Sequence, residues 1–189
     1  YLALKASGIK AGDEVITTPL SWIITSNAII ECGAKPVFVD IDNSMNIDPN
    51  LIESKITKKT FAILPMHYAG LMCDMTKINK IAKKYKIKVI EDAAQSFGAK
   101  LNNKYSGNFS DVSSFSLNPM KPLSGYGEAG FIVTNSKKIY SRILKLRHAG
   151  TVIDKKKKNM NLCYEVSLNH KIDNLNATLI IESLKNFKN

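Results

Sequence analysis

Arginine is nearly missing from this chain of 189 residues: only Arg142 and Arg147 occur, so lysine supplies the other 25 of its 27 basic residues (27 − 2). Specific base reading leans on arginine forks, and no aromatic residues interleave with the lysines as a stacking platform requires. The net charge of +11 therefore does not point to nucleic acid as a partner. Cysteine is scarce as well. Cys32, Cys73 and Cys163 are odd in number, far apart and without C-x-x-C spacing, which suggests neither a disulfide framework nor a zinc site, only reduced thiols. No apolar run approaches the roughly eighteen residues that would cross a bilayer, and Tyr1-Leu2-Ala3-Leu4 has neither the charged n-region nor the cleavage site of a signal peptide. A soluble, cytoplasmic protein with no membrane partner is expected.

What is present is an alternation of apolar runs and helical patterns. Glu14 to Thr18, Pro36 to Asp40, Phe61 to Pro65, Lys88 to Glu91, Val112 to Ser116 and Gly130 to Thr134 read as strands, with Pro36 to Asp40 expected to be buried. Helical spacing runs over Tyr1 to Ala6, Ser21 to Glu31, Asp48 to about Lys55, Asp74 to Tyr85, Ser136 to His148 and Ile172 to Phe187. Asp48 and Asp74 stand as N-caps with Pro49 at a first helical position, and Gly8, Gly12 and Gly33 are helix stops. Strands apolar on both faces and separated by helices imply an α/β fold: three layers, α-β-α, around a mostly parallel sheet. Residues 1–154 are assigned to a partial large domain, 155–162 to a Lys-rich solvated loop, and 163–189 to the start of a helix leading toward a small domain beyond the chain. Both ends have the look of interior sequence, since Tyr1 enters a helix with no cap before it and the last helical pattern simply stops.

In such sheets ligands sit beyond the carboxyl ends of the strands. Asp92 lies there, directly after Val89-Ile90-Glu91, as do His67 after Pro65 and the loop Ser116 to Gly127. That loop holds Lys121 between Met120 and Pro122. A carboxylate at one strand end and a lysine in a loop at another are what pyridoxal phosphate chemistry requires, the first to keep the pyridine nitrogen protonated and the second to form the Schiff base. Other chemistries fail their context tests. No G-x-S-x-G elbow occurs, no His, Cys and carboxylate cluster has metal-ligand spacing, and Gly125-Tyr126-Gly127-Glu128-Ala129-Gly130 precedes a strand instead of opening a helix.

Five blocks in register carry a more specific reading: Gly12-Asp13-Glu14-Val15-Ile16-Thr17-Thr18, Gly33-Ala34-Lys35-Pro36-Val37-Phe38-Val39-Asp40, Ile90-Glu91-Asp92-Ala93-Ala94-Gln95, Ser114-Phe115-Ser116 with Lys121, and Gly127-Glu128-Ala129-Gly130. From end to end the chain resembles the DegT/DnrJ/EryC1/StrS sugar aminotransferases, fold type I pyridoxal-phosphate enzymes with an aspartate-aminotransferase-like large domain. The resemblance implies transfer of an amino group from L-glutamate to a keto group of a nucleotide-linked sugar, for amino sugars of surface polysaccharides, in a homodimer with its active site at the interface.

Carried over by position, the resemblance makes Lys121 the catalytic amine and Asp92 the partner of the pyridinium nitrogen. It makes Gln95 the donor to the cofactor 3′ oxygen, Trp22 the aromatic stacked on the ring, Ser116 a phosphate ligand, and Asn169 the residue that reaches the phosphate of the neighbouring subunit. Taken as a residue alone, Asp92 could equally cap a helix beginning Ala93-Ala94-Gln95, and Trp22 could be a core or rim aromatic. His67, Tyr68 and Asn118 are candidates to line the sugar pocket, His67 and Tyr68 having a structural role at a strand end as the other reading. The chain departs from the family's pattern in that the phosphate-binding turn would precede Tyr1, Asn118 stands where many members carry an aromatic or His, and Lys171 where many carry Arg. The competing readings are a sugar dehydratase of the same family, in which a histidine replaces the lysine, and a non-catalytic relative that binds an anionic partner or DNA through its lysines.

Overall fold

The sheet is built on residues whose neighbours along the strand face opposite sides. In the computed structural model, which describes residues 1–154 and 160–187, Val15 of β1 (Glu14–Thr17) packs on one side with Leu4 of α1 (Leu2–Ser7), Ile29 of α2 (Ile24–Ile30) and Leu146 of α5 (Lys137–Arg147). Its neighbour Ile16 packs on the other side with Ile52 of α3 (Pro49–Ile52) and Ile78 of α4 (Met75–Tyr85). The same split separates Ala62 from Ile63 in β3 (Thr60–Ile63) and Ile90 from Val89 in β4 (Lys88–Asp92). Two apolar cores on one sheet make the three-layer α-β-α arrangement, and each such side chain contributes about 1.5–3 kcal/mol by leaving water.

The six-stranded sheet has the order β2-β1-β3-β4-β7-β8, with β2 at Lys35–Phe38, β7 at Val112–Ser116 and β8 at Gly130–Val133. All pairings are parallel except β7 with β8, which is antiparallel. The chain leaves β1 for β2 on one side and later returns to place β3 on the other. In open α/β sheets the ligand crevice lies at such a reversal, here beyond the carboxyl ends of β1 and β3.

Helix starts follow the sequence signals. Asp48 accepts from the Asn50 N–H at 2.8 Å, Asp74 from Lys77 N–H at 3.0 Å and Ser136 from Ile139 N–H at 3.3 Å. Helix α6 (Asn174–Asn186) is capped by Asp173, which accepts from Asn176 N–H at 2.7 Å.

Three expectations are corrected. The strand after Gly33 is an edge strand and not a buried one, with Phe38 46% exposed, a position that tolerates the missing N–H of Pro36. Helix α2 begins at Ile24 instead of Ser21, because residues 18–23 form the turn that leaves β1. Residues 160–162 of the expected loop are strand: β9 (Thr151–Asp154) and β10 (Met160–Cys163) pair antiparallel. The Lys155 to Lys158 run lies outside the described residues. A small hairpin of β5 (Lys100–Leu101) and β6 (Lys104–Tyr105) was also unanticipated. No helix among the described residues is long and apolar enough to cross a membrane.

Candidate active site

Five parallel strands deliver their C-terminal residues to one edge, and Asp92 is the last residue of β4 there. Its backbone N–H donates to Pro65 O at 2.9 Å and its carbonyl accepts from His67 N–H at 3.3 Å, which ties it to the segment after β3. On the other side it is in register with Ser114 of β7. The half-buried carboxylate accepts from Thr25 Oγ1 at 2.8 Å through Oδ2 and from Ala94 N–H at 3.1 Å through Oδ1. Thr25 in turn is 2.8 Å from Ser21 Oγ, and its N–H donates to the Trp22 carbonyl at 3.0 Å. The turn carrying Trp22 is thereby fastened to Asp92. Trp22 itself is 74% exposed, which rules out a core role. No helix follows Asp92 directly: residues 93–95 form a turn, and the Ala94 contact closes that turn while leaving the carboxylate with lone pairs to spare.

Gln95 Oε1 accepts from Ala69 N–H at 2.8 Å. This fixes the flip of the carboxamide and leaves its NH2 as a donor. Ala69 holds a left-handed backbone (φ 48°) in the short turn Tyr68–Gly70, and Tyr68 donates its N–H to Asn46 Oδ1 at 2.9 Å. Tyr68 is half-buried at this edge.

His67 does not line a pocket. It has no exposed surface, its Nδ1 accepts from Cys73 N–H at 3.2 Å, and its Nε2 faces Glu91 Oε1 at 3.1 Å. With Nδ1 an acceptor, the ring proton sits on Nε2 and is donated to Glu91. Glu91, also fully buried, receives four further hydrogen bonds from Gly107 N–H, Phe109 N–H, Ser110 Oγ and Ser113 Oγ. Burial alone would raise this carboxyl; the hydrogen bonds from His67, Ser110, Gly107 and Ser113 outweigh it and hold it at about 2. Glu91 is thus a buried anchor beneath Asp92. Burial pushes the Cys73 thiol up to about 12, so it stays protonated and inert.

Ser116 ends β7, and its Oγ accepts from Asn118 N–H at 3.3 Å. Asn118 is committed within its own loop: Oδ1 accepts from Met120 N–H at 2.9 Å and Nδ2 donates to Glu128 Oε1 at 2.6 Å. These bonds brace the loop and leave one N–H of Nδ2 and one lone pair of Oδ1 for a further partner. Asn118 O also accepts from Lys121 N–H at 2.9 Å, closing a turn that presents Lys121. Lys121 is half-buried and has no carboxylate in ion-pair reach among the described residues. Asn169 stands apart. It is exposed and pairs through its backbone with His148, and among the described residues its side chain accepts only from Lys171 N–H at 3.3 Å.

The donor set at this edge fits pyridoxal phosphate. Asp92 can accept from a pyridinium N–H, the Gln95 NH2 can donate to a phenolate, Ser116 Oγ can donate to a phosphate, and Lys121 is an amine without a competing anion. No group of His, Cys, Asp and Glu fit to hold a metal ion occurs among the described residues. A cleft of about 730 Å³, walled by Phe97, Phe115, Phe131 and Phe187, lies against the β5–β6 hairpin and the end of α6, away from this edge. Sequence reading missed Thr25 and the anchoring role of Glu91. The signal for Glu91 was a carboxylate inside an apolar strand, a position that burial forbids without partners.

The sequence profile of the DegT/DnrJ/EryC1/StrS aminotransferase family matches residues 1–189. A UDP-2-acetamido-2-deoxy-3-oxo-D-glucuronate aminotransferase of Pseudomonas aeruginosa is 41% identical over 184 residues, covering 97% of this chain and 50% of that protein. A protein of Geobacillus stearothermophilus named pleiotropic regulatory protein is 45% identical over 152 residues, 80% of this chain and 41% of its own. The crystal structure of NtdA from Bacillus subtilis with bound cofactor PMP superposes with a TM-score of 0.88 at 37% identity, covering 99% of this chain and 43% of that one. The chain spans about half or less of the length of the relatives it matches.

Proposed function

Because this chain belongs to the DegT/DnrJ/EryC1/StrS aminotransferase family, we propose that the protein uses pyridoxal 5′-phosphate to transfer an amino group from L-glutamate to a keto group of a nucleotide-linked sugar. The observation that carries the reading is Asp92, held at the end of β4 by Thr25 and Ala94 N–H, with Lys121 presented from the loop after the adjoining strand β7. The cofactor supplies an electron sink for the carbon that loses its proton. Asp92 keeps the ring nitrogen protonated by offering a fixed negative charge, and Gln95 orients the ring by donating to its 3′ oxygen. Lys121 would hold the cofactor through its amine and would move a proton at the reacting carbon. Trp22 covers one ring face, a role that its exposure leaves open, and Ser116 takes part of the phosphate. Tyr68 and Asn118 are the remaining candidates of this edge for sugar contact.

The same reading makes the protein a cytoplasmic homodimer in which Asn169 reaches the partner's phosphate. Supporting it, Asn169 is exposed and engages no other candidate residue, and Trp22, Ile23, Val166 and Leu168 are each more than half exposed, at 74%, 61%, 89% and 69%. A subunit contact there would cover these apolar side chains. Residues 163–189 then lead from this large domain toward a second one. The name of the Geobacillus relative favours a second reading, a regulator that keeps the fold without the chemistry. Lys121 speaks against the dehydratase, which replaces that lysine by histidine. The test is to supply the protein with pyridoxal phosphate and L-glutamate, screen nucleotide-linked ketosugars, and measure 2-oxoglutarate release. Turnover that disappears in Lys121→Ala supports the transaminase; a bound cofactor with no turnover on any ketosugar overturns it.

A further inference from the structure

The loop that carries Lys121 does not rest on the sheet alone. Its underside meets α6, where Leu117 and Leu123 pack with Ile180 in a small apolar cluster of their own. Within it the Tyr126 N–H donates to Asn176 Oδ1 at 3.0 Å. Asn176 is only 8% exposed, and its own N–H is taken by the Asp173 cap at 2.7 Å, so the carboxamide projects from a fixed first turn. Gly125, next to Tyr126, lies so close that a Cβ there would overlap Asn176 Oδ1 and stand 3.0 Å from two carbons of Ile180. Gly125 N–H in turn donates to Leu117 O at 2.9 Å, closing the far end of the loop against the residue that follows Ser116.

We propose that Asn176 is a positioning residue for Lys121: its buried carboxamide, with the bare Cα of Gly125 against it, seats the amine-bearing loop on α6. This rests on the assignment of Lys121 as the cofactor-binding lysine. The backbone link runs from Asn176 through Tyr126 and Gly125 to Leu117 and thence to the turn Asn118–Lys121. Lysine has a long flexible stem, so a loop that is free to shift would leave its amine spread over many positions. One buried acceptor removes that freedom. Asp at 176 would keep an acceptor for Tyr126 N–H and would add a negative charge in the first turn of α6, where the helix dipole favours it. Leu at 176 would keep the branched shape and leave the Tyr126 N–H unpaired.

The test compares Asn176→Leu, Asn176→Asp and Gly125→Ala in the protein, with two readouts. Without cofactor, amide hydrogen exchange at Gly125 and Tyr126 should rise roughly tenfold in Asn176→Leu and return close to the original rate in Asn176→Asp. With pyridoxal phosphate added, the pH midpoint of the visible band of the lysine-bound cofactor should move in Asn176→Leu and Gly125→Ala, and stay in place in Asn176→Asp. A side chain that only stabilised α6 would leave that midpoint alone. The proposal is overturned if Asn176→Leu keeps the original exchange rates and midpoint, or if Asn176→Asp behaves like Asn176→Leu. Should Asn176→Leu fail to fold, Gly125→Ala decides, since it leaves Asn176 in place: an unmoved midpoint and unchanged exchange overturn the proposal. Should the unaltered protein show no such band, the assignment of Lys121 falls while the exchange comparison still judges the clasp.

Discussion

Replacing Glu91 by Gln tests the buried anchor beneath the site with a change of one atom type. Both carboxylate oxygens face a backbone N–H that cannot turn into an acceptor: Gly107 N–H at 3.0 Å on Oε1 and Phe109 N–H at 3.2 Å on Oε2. Whichever way the new carboxamide flips, its NH2 therefore points at a donor, and the charge that His67 and the two serine hydroxyls answered is gone. From the titration alone, a carboxyl held at about 2 against its ordinary 4.5 contributes about 3 kcal/mol at neutral pH. Together with the opposed donors, Glu91→Gln should destabilise the protein by about 3–5 kcal/mol. The sign of the pH dependence follows from the direction of the shift. A lowered folded-state pKa stabilises above the unfolded value, so this contribution is complete above pH 4.5 and is lost as pH falls from there through about 2. Urea unfolding between neutral and strongly acidic pH is the assay: the original protein loses this increment on acidification and Glu91→Gln has none to lose. A variant within 1 kcal/mol of the original at neutral pH (a bound roughly one hydrogen bond in size), or one with the same acid dependence, would refute the reasoning.

Thr25→Val removes the donor to Asp92 Oδ2 while keeping the shape of the side chain. Cofactor affinity, read by fluorescence titration, should fall roughly tenfold, the size of one hydrogen bond to a charged group; unchanged affinity would separate Thr25 from the site. Asp74→Ala deletes the cap on Lys77 N–H and should lower stability by about 1 kcal/mol in urea unfolding, with cofactor affinity untouched, because α4 packs on one face of the sheet through Met75, Ile78 and Ile81 and supplies no candidate residue. A larger loss, or any effect on the cofactor, would mean that α4 has a part in the site.

Local rules carried most of the fold. Asp48 with Pro49, Asp74 and Ser136 start helices by side-chain acceptors, signals confined to four residues, and the alternation of strands with helices leaves few arrangements of a parallel sheet. Where the sequence misled, the reason was context. The run Pro36 to Asp40 is as apolar as a central strand, and only its place at the end of the strand order exposes Phe38. The hairpin over Lys100 to Tyr105 did carry a signal, Asn102-Asn103, which take positive φ of 49° and 61° in a tight turn, yet two-residue strands are too short to show a period. At the candidate site, Asp92 and Lys121 stood out because a strand end and a Pro- and Gly-bounded loop are visible in one dimension. Thr25 and Asn176 did not, since each acts across long stretches of chain, 67 residues to Asp92 and 50 to Tyr126. His67 shows the converse: a histidine at the right edge whose ring turns inward to a buried glutamate.

Borohydride reduction of the protein loaded with pyridoxal phosphate, followed by peptide mass mapping, addresses the central assignment most directly. The account predicts the cofactor's mass on the peptide that contains Lys121 and on no other lysine. A label fixed on a different lysine, or no label at all with the cofactor demonstrably present, would contradict it.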